Sequence, residues 1–440
     1  IDPHATGTFA VGLYDEQETV DGPANMSAQG EYGSDCCKCC PHCDFCSCLC
    51  PQKPAPCIEC PHVSTLQPYW NVNVFGSLIT DIEYNTSRPI APGTPFLLAP
   101  DSVFGFDTET FDMHARQTQF GVALTGPEIC GLQAGGLALI TFYNDAIVVD
   151  QYGILPLLAY GELKNEDVRF AAGLQFDVFC PNTANILPFS ILSGSGNAGN
   201  NFRGQARMER YLRPTDCTQW TIQLAISEPI ATGITQSLTG ASAVPALTED
   251  NGWPNIEGRV MYGSGTPEQV GLDARRPFEV GLSGVVGQVR RTQGANRVVS
   301  DVWGVGLDYR WKLTDRFGVQ GEVVHGQGLG TYNAGILQTI NAETFNTIRT
   351  TGGWVEAWYY WTPCVHSHFG YCIDDPHDAD VAVTPPAIAP LRNETCFANW
   401  LWDVTPSFRI GFEFTWRETA YNNAPDAEGA GFHTQFRWSF

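Results

Sequence analysis

The sequence predicts an all-β fold: a 16-stranded antiparallel transmembrane β-barrel over residues 66–440, behind a Cys-rich, largely irregular N-terminal segment over residues 1–65. Three observations predict it. Long segments alternate between apolar and polar residues. The connections between them are alternately short and long. The apolar stretches fall well short of the roughly 20 residues a spanning helix needs. Composition agrees, since 43% hydrophobic and 12% aromatic residues are too many for a disordered chain. A formal net charge of −23 argues against a nucleic-acid partner, because neutralising phosphates needs clustered Lys and Arg.

Up to about Thr65, an acidic lead-in precedes CCKCCPHCDFCSCLCPQKPAPCIECPH. Pro41, Pro51, Pro54, Pro56 and Pro61 interrupt any regular element there, so crosslinks or metal must order it. Strands are then expected to begin near residues 69, 105, 131, 154, 167, 202, 218, 254, 277, 298, 317, 349, 364, 397, 406 and 430. Val168, Phe170, Ala172, Leu174 and Phe176 oppose Arg169, Gly173 and Gln175, and Trp220, Ile222, Leu224 and Ile226 oppose Thr221 and Gln223. Trp303 to Leu313 alternate in the same way, as do Phe408, Ile410, Phe412, Phe414 and Trp416 against Arg409, Gly411, Glu413 and Thr415. The last strand sets Phe432, Phe436, Trp438 and Phe440 against His433, Gln435 and Arg437. A period of two over such lengths marks strands whose two faces meet different surroundings. Short connections (GPEICG, KNED, RPTDC, LDARRP, LTDR, TPC, VTPS) fall at one rim and long ones (85–104, 180–201, 229–253, 328–348, 373–396) at the other. That asymmetry with an even strand count is the pattern of an outer-membrane barrel, and sixteen strands enclose a lumen wide enough for water.

Two stretches carry a family resemblance. The alternating aromatics ending in Phe440 resemble the C-terminal strand by which bacterial outer-membrane barrels are recognised for insertion. The segment FDMHARQTQFGVAL, Phe111 to Leu124, resembles an early strand of DcaP-like trimeric porins, where an Ala-Arg-Gln-x-x-Phe-Gly run is typical. Across residues 69–440 the resemblance implies a homotrimer in outer-membrane lipid that conducts small solutes. It does not extend to the Cys-rich segment, where DcaP-like proteins carry a coiled coil and this chain has no heptads. In 16-stranded porins the third long loop folds inward. Here that loop, Cys180 to Asn201, has no charged residue, so an apolar, amide-lined constriction is expected with Arg203 and Arg207 beneath it.

If the aromatic faces meet lipid, the opposite faces line water, and their charges set selectivity. The pore-lining candidates are Arg169, Arg203, Arg207, Arg213, Arg310, Arg409 and Arg437, with Glu322 and Glu413 between them. An arginine ladder on a low-dielectric wall favours anions; the alternative is that these groups form structural salt bridges.

Ten cysteines, Cys36, Cys37, Cys39, Cys40, Cys43, Cys46, Cys48, Cys50, Cys57 and Cys60, cluster at CC, CxC and CxxC spacings that suit either disulfides or a thiolate-bound metal. Cys130, Cys217 and Cys364 fall at the short-turn rim, from which the N-terminal segment would enter on the periplasmic side, and docking there is expected. Cys372 and Cys396 bracket a long loop and could pair across it, whereas Cys180 has no evident partner. The stretch CVHSHFGYCIDDPHDAD reads as a polar loop that could bind metal through His366, His368 and His377 or simply be solvated. The sequence therefore reads as an outer-membrane porin for passive diffusion of small hydrophilic solutes. The alternatives are an envelope-anchoring barrel and a barrel enzyme. The last is disfavoured because His114, His325 and His433 are not joined to a nucleophile by a motif such as GxSxG, and no catalytic residue is assigned.

Overall fold

Residues that alternate between Val, Ile, Phe, Trp or Tyr and polar or small side chains satisfy a pleated backbone with one wet and one apolar face. In a computed structural model they do so almost throughout. It describes residues 70–440 except 91–94, 101–107, 144–151, 190–195, 197, 230–251, 271–272, 294–295 and 342. The cysteine cluster from Cys36 to Cys60 lies outside the described residues.

The strands are β1 (Asn71–Asn85), β2 (Thr110–His114), β3 (Gln119–Ile129), β4 (Leu132–Tyr143), β5 (Tyr152–Lys164), β6 (Val168–Phe176), β7 (Phe202–Thr215), β8 (Thr218–Ser227), β9 (Asn255–Ser264), β10 (Glu268–Val270), β11 (Asp273–Arg275), β12 (Phe278–Gln293), β13 (Asn296–Lys312), β14 (Phe317–Gln327), β15 (Arg349–Thr362), β16 (Val365–Pro376), β17 (Ala389–Thr405), β18 (Phe408–Asn422) and β19 (Ala427–Ser439). One sheet holds 17 of them and closes through β1 and β19. β2 and β3 lie end to end along β1, so these strands make sixteen staves, all antiparallel, and β10 and β11 form a separate small hairpin. Closure leaves no sheet edge, which is what a strand structure needs in hydrocarbon.

The outward faces carry the apolar residues. Val305, Leu307, Leu282, Val323, Phe412, Phe414 and Phe432 are exposed, while their neighbours along the strands are buried. Towards the short-turn rim, Trp220, Tyr262, Phe278 and Trp311 follow one another in ring contacts, and Phe408 stacks on Trp438, forming an aromatic girdle of the kind placed at a membrane interface.

Several expectations are corrected. The run Ala115–Thr118 interrupts its stave instead of continuing it, because the Thr118 and Thr141 hydroxyls replace ladder partners: Ile79 donates to Thr118 Oγ1 at 3.0 Å, and Thr141 Oγ1 donates to the Arg116 carbonyl at 2.9 Å. β17 begins at Ala389, eight residues before the expected start, so the connection 373–396 shrinks to 377–388. Proline and charge made the start of β17 look like a loop; a register shift between Pro390 and Arg392 accommodates the proline. Likewise VHSHFGYCIDDP, Val365–Pro376, is strand β16, not a polar loop. Cys372 and Cys396 sit on neighbouring strands, with Cys372 opposite Thr395, so Cys372 faces inward and Cys396 outward, and they do not pair. At the short-turn rim, the connection between β9 and β12 is longer than expected and holds β10 and β11.

Candidate pore constriction

The described residues between β6 and β7, 177–189, 196 and 198–201, line the inside of the barrel, and Val178, Phe179, Cys180, Ala184 and Phe189 are buried. With no charged side chain from Cys180 to Asn201, the segment is held largely by its backbone N–H groups, which donate to carboxylates on the wall. Val178 and Phe179 share Glu257 Oε2 on β9, at 2.7 and 3.2 Å. Cys180 donates to Ser283 Oγ on β12 at 3.1 Å, and its thiol sits over Gly306, where any Cβ would overlap it. Asn182 donates from N–H to Glu322 Oε2 on β14 at 3.3 Å and from Nδ2 to Asp308 Oδ1 on β13 at 3.2 Å. Asn185 places N–H and Nδ2 on the two oxygens of Glu356 on β15, each at 2.7 Å. Leu187 N–H reaches Glu413 Oε2 on β18 at 2.9 Å. The loop thus follows the wall from β9 to β18, one acidic residue after another, and each charge-assisted bond contributes roughly 1.5–3 kcal/mol.

Its base is clamped by Arg203. The guanidinium pairs with Asp177, donates to the Thr331 carbonyl at 2.8 Å and lies 3.8 Å over the Tyr332 ring. Tyr332 belongs to a one-turn 3-10 helix, Leu329–Tyr332, in the 328–348 connection, and its hydroxyl donates to Glu257 Oε1 at 3.2 Å. Two inward loops and the wall therefore meet at one enclosed ion pair.

Towards the long-loop rim the lumen is packed with apolar side chains. Phe96, Leu97 and Leu98 from one loop, Phe189 from the second and Ile336 and Leu337 from the third form one cluster with Tyr143, Leu155, Leu157 and Tyr421 of the strands.

The opposite wall, β5 to β8, has a different character. Lys164, Arg169, Arg207 and Arg213 face inward with two carboxylates, Glu162 and Glu209. Arg169 bridges both, at 2.6 and 2.9 Å, and Arg207 stands 3.5 Å from Glu209. Small and amide side chains, Ala171, Gln205, Thr221, Gln223 and Ala225, share that face.

The candidates from sequence thus divide. Arg203, Glu322 and Glu413 are enclosed beneath loops, Arg203 at only 1% exposure, so a solute does not reach them. Arg409 pairs with Asp403 at 2.5 Å. Arg310 lies 4.9 Å from the Trp358 ring and donates to the Arg276 carbonyl at 3.2 Å, while Arg437 donates to Ser77 Oγ at 3.2 Å. Arg213 is exposed near the turn. The rule that aromatics face lipid fails at Trp354 and Trp358, which are buried inside the wall. Sequence reasoning missed Glu257 and Glu356, although a solitary acid between Trp354 and Trp358 signals a carboxylate that must find donors. His366 and His368 bond one another at 3.0 Å, and His368 meets Glu356 at 2.6 Å, within the wall.

No protein-family model matches the sequence, and no curated protein is similar to it in sequence. Solved structures match over most of the chain. The outer-membrane channel DcaP of Acinetobacter baumannii has 15% identity and TM-score 0.64, covering 85% of this chain and 98% of that one. The anion-selective porin from Comamonas acidovorans has 12% identity and TM-score 0.52, covering 84% and 100%. Vibrio cholerae OmpT in its trimer form has 10% identity and TM-score 0.50, covering 84% and 100%. The fold is that of outer-membrane porins.

Proposed function

We propose that this barrel is an outer-membrane porin for passive diffusion of small hydrophilic solutes, with a restricted conduit along β5–β8 that favours anions. One observation carries the reading: the acidic wall is occupied by hydrogen bonds to the inward loop, whereas the inward face of β5–β8 carries four cations against two carboxylates. Arg169, Arg207 and Lys164 line the conduit; Arg310, Arg409, Arg437 and Arg213 add positive potential towards the short-turn rim, and Arg203, Glu322 and Glu413 hold its scaffold. The anion-selective neighbour is consistent with this preference, and the trimeric neighbour with a homotrimer. In this reading the short-turn rim, with Cys130, Cys217 and Cys364, faces the periplasm, and residues 1–65 form a separate segment on that side.

Planar-bilayer recordings under a KCl gradient test it. The reversal potential is expected to report chloride preference that falls in Arg169→Ala and Arg207→Ala. Cation preference that neither substitution changes would overturn it. A membrane-impermeant maleimide is expected to label Cys217 in purified protein but not on intact cells, which checks the orientation.

A further inference from the structure

The connection between β9 and β12 departs from the tight turns of its rim by carrying the hairpin β10–β11. Such a hairpin could hang below the barrel, but its contacts put it inside the mouth. Glu268 of β10 stands just beyond the end of β9, yet both its carboxylate oxygens lie 2.8 Å from Lys312 Nζ. Lys312 ends β13, which is separated from β9 in the sheet by β12, and it shares a strand face with the buried, inward Arg310 and Asp308. The chain reaches it only by crossing the lumen side of β12. Arg275 of β11 turns the same way. Its Nε donates to Glu279 Oε2 at 2.6 Å on the inward face of β12, and its Nη2 donates to Asn182 Oδ1 at 3.4 Å. Asn182 belongs to the loop that enters from the long-loop rim, so hairpin and loop meet within the lumen from opposite ends.

The hairpin and the wall beside it concentrate positive charge. Arg275 is paired with Glu279, and Lys312 with Glu268 and, at 3.8 Å, with the exposed Asp315 of the next turn. Arg276 and Arg310 are not compensated in this way: among the described residues neither guanidinium meets a carboxylate. Arg276 donates its Nη1 to the Gly265 and Asp216 carbonyls. Arg310 donates to the Arg276 carbonyl at 3.2 Å and lies 4.9 Å from the Trp358 ring. Glu279 stands directly opposite Arg310 on β12, but its two oxygens are taken by Arg275 Nε and the Arg276 N–H, each at 2.6 Å. Carbonyl oxygens and a ring face hold a guanidinium in place without neutralising it. Two net positive charges therefore stand where the hairpin narrows the mouth, and low-dielectric walls focus their potential on whatever passes.

We propose that the β10–β11 hairpin forms a second constriction at the short-turn mouth, where Arg276 and Arg310 select small anions. Arg275 is a positioning residue: it ties the hairpin to Glu279 on the wall and to Asn182 of the inward loop. The inference rests on the reading of the barrel as a channel, but not on the conduit along β5–β8, because its residues lie on the other side of β9.

Full-length protein in planar bilayers under a KCl gradient tests it. Arg310→Gln is expected to lower the chloride-to-potassium permeability ratio by about two- to fivefold, the effect of one unit charge at the edge of a narrow aqueous path. Arg275→Ala, which unties the hairpin, is expected to raise single-channel conductance, and so is replacement of residues 267–274 by two glycines. A wild-type permeability ratio in Arg310→Gln, or wild-type conductance with the shortened hairpin, would overturn the proposal. If Arg207→Ala then still lowers the ratio, the conduit stands without the second constriction; a wild type that does not conduct overturns the channel reading itself. If Arg310→Gln does not migrate as a folded, heat-modifiable barrel, Arg276→Gln decides by the same ratio.

Discussion

The two inner walls of this barrel both carry ionisable groups, yet they do opposite work. From β9 to β18, Glu257, Glu322, Glu356 and Glu413 receive backbone N–H groups of an uncharged loop and are buried by it. From β5 to β8, Arg169, Arg207 and Lys164 face inward beside small residues, with Arg169 largely buried in its pairs with Glu162 and Glu209. A loop without charge can cover a charged wall only by donating its peptide groups, and in doing so it removes those carboxylates from the solute path. Under the proposed function, selectivity follows from which charges are covered rather than from how many there are.

The sharpest test of that contrast is Arg203. Read from sequence as part of the ladder, it is instead an enclosed clamp between two loops. Arg203→Ala leaves Asp177 buried and uncompensated and should cost about 3–5 kcal/mol in unfolding experiments in lipid vesicles. The ion selectivity of the surviving folded fraction should be unaltered. A large selectivity change with little loss of stability would put Arg203 back on the solute path. Glu356→Ala removes the acceptor for both Asn185 bonds. A loss of roughly 1.5–3 kcal/mol is expected, together with noisier and larger single-channel currents as the loop loosens. Arg207→Ala should change stability by no more than about 1 kcal/mol. It should lower the chloride-to-potassium permeability ratio by at most about fivefold, since a unit charge about 4 Å away in water is worth about 1 kcal/mol before screening.

The smallest effect lies outside both walls. The exposed Arg349 guanidinium bonds Asp380 in the short helix Asp378–Val381 and holds its carboxyl below the usual range. A lowered folded value means the contribution is present above the unfolded value of about 4 and is lost as pH falls through the folded one. Hydrogen exchange at Val381 and Ala382, whose N–H groups close that turn, should therefore quicken below about pH 4. It should become insensitive to that acidification in Arg349→Gln.

Staves and faces were legible from the sequence because period two survives wherever one side is apolar. The starts of β7, β8 and β14 at Phe202, Thr218 and Phe317 coincide with the expected positions. The β17 start was not, since Pro390 and Arg392 look like a loop to any local reading. The inward loop was legible as uncharged and constricting. Its anchors were not, because Asn185 and Glu356 are 171 residues apart and their bond is made by a peptide N–H, a group every residue carries. Arg203 and Arg207 share one strand face, four residues apart, and alternation cannot tell them apart.

What the sequence by itself determined is the barrel: alternation assigns each strand residue to lipid or lumen, and turn spacing sets the order of staves. Only the tertiary structure decided which lumen charges meet solute and which are covered. That depends on where three loops fold back into the barrel, and on pairings such as Arg203 with Asp177, Asn185 with Glu356 and Glu83 opposite His433, which arise from closure of the ring and not from any local pattern.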